Sequence, residues 1–87
     1  GSSCSSDDEW VAFIRNQWTG LMHPCGTCKM GKEDDAVVDE KLRVRDVKHL
    51  RVVDASVMPT VTSGNTNTPT TMIAEKASDL ILRDWAA

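Results

Sequence analysis

The sequence predicts a mixed α/β fold, and three observations carry that prediction. Apolar residues recur at helical spacing near the N-terminus, short apolar runs broken by turn residues fill the middle, and a longer amphipathic stripe ends the chain. The first element opens at Ser6-Asp7-Asp8-Glu9, a capping box in which the Ser6 hydroxyl accepts from the Glu9 amide and the Glu9 carboxylate accepts from the Ser6 amide. Trp10, Phe13, Ile14 and Trp18 follow at helical spacing, with Gly20 where a left-handed terminating residue is expected. A helix is expected over about residues 7–19, its aromatic stripe serving as core packing.

Leu21 to Gly26 is apolar but interrupted by Pro24 and Gly26, so a turn should lead into a short extended piece at Thr27–Met30. Gly31 to Asp35 reads as a polar loop. Ala36-Val37-Val38 and Leu42-Arg43-Val44, separated by Asp39-Glu40-Lys41, read as a β-hairpin, and Leu50 to Asp54 as a buried strand ending in an acid. Ala55 to Thr68, rich in Thr, Ser and Asn, reads as a long functional loop. Thr68 is then a good N-cap and Pro69 a good first helical residue. Met72, Ile73, Ala77, Leu80, Ile81 and Trp85 line one stripe of a C-terminal helix expected over about residues 69–85.

Composition narrows the function classes. A formal charge of -3 leaves no basic footprint for nucleic acid, because Arg43, Arg45, Lys48 and Arg51 interleave with Asp39, Glu40, Asp46 and Asp54 as a solvated surface would. No apolar run approaches the roughly 18 residues of a membrane span, so a soluble protein is expected, its destination open and secretion compatible with it. At 87 residues the chain would bury only roughly 60–65% of its unfolded surface as an independent domain. A fragment of something larger is expected.

Three cysteines cannot complete a disulfide framework. Cys25 and Cys28 form a C-x-x-C two residues after His23, the pattern of a redox dithiol or half a zinc site. A four-ligand site needs further donors, and only the isolated Cys4 and His49 remain. The expectation is therefore no metal, with small buried thiols in a strand.

Three positions are candidates for chemistry. Asp54, at the carboxyl end of a strand, can accept from ribityl or ribose hydroxyls of a nucleotide cofactor or can cap a turn, and spacing alone does not choose. Asn65 and Asn67 precede a helix start whose free amides suit an anion or developing negative charge, though two Asn there also close turns. His23, in a Pro/Gly turn, is the default proton-transfer candidate because imidazole titrates near neutrality, although most histidines in such turns only pack or face solvent.

The phrases His23-Pro24-Cys25-Gly26-Thr27-Cys28-Lys29-Met30-Gly31, Leu50-Arg51-Val52-Val53-Asp54-Ala55-Ser56-Val57-Met58-Pro59 and Gly64-Asn65-Thr66-Asn67-Thr68-Pro69 closely resemble the C-terminal signatures of glucose-methanol-choline (GMC) oxidoreductases. They stand in the family's order and spacing, and with Ala74 to Ile81 the resemblance covers nearly everything from His23 onward. It implies the C-terminal fragment of a two-domain fold. Residues 1–49 would belong to the substrate-binding domain and carry the catalytic His loop. Residues 50–87 would give the last strand, flavin-facing loop and C-terminal helix of the FAD-binding domain. The Gly-rich loop that cradles the FAD diphosphate lies near the N-terminus in that family and is not in this sequence. The implied partners are thus the N-terminal portion of the same enzyme, FAD and a small alcohol.

The resemblance also implies roles. His23 matches the His that takes the hydroxyl proton of an alcohol as hydride passes to flavin N5. Asn65 matches its partner, as in the choline- and aromatic-alcohol-oxidising subgroup. Asp54 and Ala55 match the FAD-contacting turn, and Asn65, Thr66 and Asn67 the segment beside the flavin ring. Asp46 departs from the pattern, since related chains often have Gly there. The fold also hosts lyases, cyclases and a photodecarboxylase; the His23/Asn65 pair favours alcohol oxidation over these. A free-standing C-x-x-C redox or metal-binding module is the alternative from a different class.

Overall fold

Two helices bracket an irregular middle in which single backbone bridges replace extended strands. The computed structural model describes residues 1–86. Helix α1 spans Asp7–Gln17, and its capping box forms as expected: Ser6 accepts from the Glu9 amide while Glu9 accepts from the Ser6 amide. Three acids, Asp7, Asp8 and Glu9, sit in its first turn and Arg15 in its last, complementing the helix dipole. Its end differs from expectation. Trp18 leaves the helix in extended conformation, and Gly20 does not adopt a positive φ. The aromatic stripe does not form core here, since α1 buries none of its residues and, among the described residues, packs against no other element. Trp10 and Phe13 instead meet edge-on with centroids 6.0 Å apart.

The middle is held by a braid of backbone hydrogen bonds. Val38 bridges Val44 in antiparallel sense, so the chain folds back where a hairpin was expected but through an isolated bridge instead of paired strands, and Arg43 bridges Arg51 likewise. Asp39 shapes the turn: Oδ1 accepts from the amides of Lys41 and Arg43, Oδ2 from the Arg43 guanidinium at 2.8 Å, and Leu42 takes a φ of 62°. Met30 pairs in parallel with Val38. The extended piece expected at Thr27–Met30 is shorter than that, because Thr27 and Cys28 lie in a turn and only Met30 bridges. The strand expected from Leu50 to Asp54 likewise reduces to the Arg51 bridge, and none of its residues is fully buried. Asp46 has a φ of 60°, so the turn needs the left-handed region, which Gly adopts most readily and Asp tolerates better than most residues.

Ala55–Val57 forms a 3-10 turn inside the segment expected to be loop, with Asp54 as its N-cap. Helix α2 spans Asn67–Ala86 and begins earlier than Thr68 capping would allow. The Thr66 carbonyl already accepts from the Thr70 amide, so Thr66 flanks the helix start and Pro69 falls within the first turn, where its missing N–H has no intrahelical partner to lose. The core lies where hairpin, 3-10 turn and α2 meet: Val38, Leu42, Val57 and Ala77 are buried, with Met30, Val44, Val52, Val53 and Ile73 packed against them. Arg51 and Lys41 both pair with Asp84, tying the hairpin to the last turns of α2. Met72 and Trp85, placed on the apolar stripe by their spacing, are exposed.

Candidate functional site

The segment carrying His23 is pinned to the 3-10 turn by three backbone bonds. The amides of Gly26, Cys28 and Met30 donate to the carbonyls of Ala55, Ser56 and Val57 at 3.3, 2.9 and 2.9 Å. Gly26 is required there. Its φ is 84°, and a Cβ would stand 3.2 Å from the Met58 carbonyl oxygen. On the other side of His23, Met22 has a φ of 58°, and Pro24 restricts the His23 backbone itself. The imidazole therefore projects from a short arch whose following residues are fixed to the core.

That arch meets the start of α2. His23 Nδ1 and Thr66 Oγ1 lie 3.0 Å apart and share a hydrogen bond whose direction depends on the imidazole tautomer. Thr66 is 8% exposed, the only polar residue in the buried set of the described chain. Its neighbours Asn65 and Asn67 are exposed. His23 and Asn65 line one open cleft of about 810 Å³ together with Leu21, Met22, Thr62 and Gly64. Two residues joined by the resemblance thus share a wall, although the direct partner of His23 is Thr66. Sequence reasoning assigned Thr66 to the cofactor and missed this contact, which spans 43 positions and leaves no local signal.

Asp54 and Ala55 lie on the turn that supports the arch. Asp54 Oδ1 accepts from both the amide and the hydroxyl of Ser56. These bonds, the side-chain one foremost, hold its carboxyl below the usual carboxylate range. The capping role left open by spacing is therefore present, and Oδ2 has no hydrogen bond among the described residues. An ionised acid with one open oxygen, the first amides of α2 without intrahelical partners, and the two neutral Asn side chains are donors and acceptors of the kind a polar nucleotide cofactor requires.

The cysteines are free and partly buried; Cys25 lies on irregular backbone after His23 and Cys28 in the following turn, neither in a strand. His49, in a charged turn with a φ of 62°, lines a second groove far along the chain from His23, beside Arg51 and Trp85. Among the described residues no helix is long and apolar enough to cross a membrane.

A family model described as GMC oxidoreductase matches residues 1–74. The chain is 53% identical over 83 residues to a protein named alcohol dehydrogenase [acceptor] from Pseudomonas putida, covering 95% of this chain and 15% of that one. It is 54% identical over 81 residues to an oxygen-dependent choline dehydrogenase from Burkholderia lata, covering 93% and 14%. A crystal structure of pyridoxine 4-oxidase from Mesorbium loti superposes with a TM-score of 0.80 at 43% identity, covering 88% of this chain and 15% of that one. The chain thus spans about one seventh of the length of the relatives it matches. With the family model matching most of its length and the fold shared with a solved relative, this chain belongs to the GMC oxidoreductase family.

Proposed function

We propose that this chain supplies the proton-accepting loop and the flavin-facing end of an enzyme that oxidises a primary or secondary alcohol to the carbonyl with FAD. The observation that carries the reading is the meeting of His23 with the Asn65-Thr66-Asn67 segment at the start of α2, on one open cleft. The names of its relatives, which refer to alcohol, choline and pyridoxine, each a hydroxyl-bearing molecule, support the substrate class.

His23 accepts the hydroxyl proton: the alcohol O–H bond breaks, an N–H bond forms on the imidazole, and the electron pair stays on oxygen. Charge building on that oxygen is what drives hydride from the adjacent carbon, so the base matters most in the transition state. The chemistry that bound FAD would supply is that of hydride acceptor. The Asn65 amide donates to the substrate oxygen and aligns it with His23. Asp54 and Ala55 on the supporting turn, with Asn65, Thr66 and Asn67 at the helix start, would hold the cofactor, and the amide end of α2 would favour negative charge beside it.

In this reading residues 1–49 belong to the substrate side and residues 50–87 to the FAD-binding side, and the N-terminal portion of the same enzyme is the partner that completes both. The test uses the full-length, FAD-loaded enzyme, mixed without oxygen with a panel of primary and secondary alcohols. Flavin absorbance should fall as one equivalent of carbonyl product forms. Bound flavin that none of the alcohols reduces, together with a non-redox conversion of one of them, would contradict the reading.

A further inference from the structure

The bond between His23 and Thr66 joins an exposed residue to a buried one. The Thr66 carbonyl accepts from the Thr70 amide at 3.0 Å and from the Thr70 hydroxyl at 2.6 Å, and the residue is buried at the helix start. Its β-branched side chain has few rotamers open to it. His23, in contrast, is an exposed side chain on an arch between a left-handed Met22 and Pro24. Within the described residues Thr66 Oγ1 is its one hydrogen-bonding partner.

We propose that Thr66 is a positioning residue for His23: its Oγ1 accepts from Nδ1–H and so fixes the tautomer whose lone pair lies on Nε2. This rests on the reading of His23 as the base. A neutral imidazole carries one proton, and a hydroxyl can either accept from Nδ1–H or donate to a bare Nδ1; the first direction is the one proposed, because only it leaves the Nε2 lone pair free to take a proton. A ring protonated on Nε2 would present a donor to the cleft and could take no proton from an alcohol at that atom. Thr66 therefore acts before the reaction, by keeping the ring in the orientation and proton state that the transfer needs. A threonine that merely filled space at the start of α2 would be replaced by valine without effect on the imidazole.

The experiment compares wild type, Thr66→Val, Thr66→Ser and His23→Ala in the full-length FAD-loaded enzyme. Nitrogen-15 NMR of the labelled imidazole, assigned by the resonance missing from His23→Ala, should show wild-type His23 protonated on Nδ1 in its neutral form. Thr66→Val should shift it toward Nε2 protonation, and Thr66→Ser should restore the wild-type pattern. In parallel Thr66→Val should lower kcat roughly threefold to tenfold, the scale of one lost hydrogen bond, with KM changed by less than about twofold. Thr66→Ser should recover most of kcat. A wild-type ring protonated on Nε2, or an unchanged tautomer in Thr66→Val, overturns the proposal. Wild-type kcat in Thr66→Val while His23→Ala is slow overturns it too and leaves the base reading standing. Wild-type rates in His23→Ala sink the base reading itself, and the tautomer measurement then decides the Thr66 contact alone.

Discussion

Asp54 illustrates how a single side chain serves structure and site together. Its Oδ1 takes two bonds from Ser56 and so closes the 3-10 turn on which the His23 arch rests. Because these bonds depress its folded pKa below the ordinary value of 3.8, the stability they add is fully present above that value. It fades as pH falls through the depressed folded value. Asp54→Ala should therefore lower the melting temperature of the full-length enzyme at neutral pH, and its gap to wild type should narrow progressively below about pH 4. A gap that stayed constant down to about pH 3 would show that the carboxylate does not hold the turn. His23, Asp54 and Asn65 stood out as candidates because they sit in phrases that keep the family's spacing, and the structure brings His23 and Asn65 onto one cleft. The pairing of His23 with Thr66 was not legible, since nothing within a few residues of either points to the other.

At the scale of elements, what is local was legible and what depends on a neighbour was not. The capping box could be read because Ser6 and Glu9 need only each other. The start of α2, expected at Pro69 with Thr68 as its cap, lies two residues earlier, because the Thr66 carbonyl already accepts from the Thr70 amide. The strands read as apolar runs became isolated bridges, for a run of apolar residues does not state how many partners it will find. Helix α1 makes the point most sharply. Its apolar spacing asks for a partner, yet Ile14 is 58% and Trp18 76% exposed within this chain. In the full-length enzyme α1 should pack on residues outside this segment, and Ile14→Asp should then destabilise that enzyme by about 2–4 kcal/mol, the range for losing a buried aliphatic side chain. An unchanged denaturant midpoint would mean that α1 faces water in the whole protein.

The whole molecule has the proportions of a part that leans on a larger body. Its radius of gyration is 18.6 Å with extents of 64 × 27 × 15 Å, against roughly 12 Å for a compact chain of this length. Its accessible surface of 7076 Å² exceeds by roughly 2,000 Å² what a self-contained protein of its mass exposes. Four residues form the fully buried cluster, which is little for a chain that must order 86 described residues. What the fold does fix firmly is the junction of the His23 arch, the 3-10 turn and the start of α2, and the functional account depends on that junction. The most direct test is anaerobic stopped-flow reduction of FAD by a good alcohol substrate in full-length His23→Ala. The rate should fall by roughly 10²–10⁴, the usual contribution of general base catalysis, with flavin content and spectrum close to wild type. Reduction at a near wild-type rate in the fully FAD-loaded variant would contradict the account.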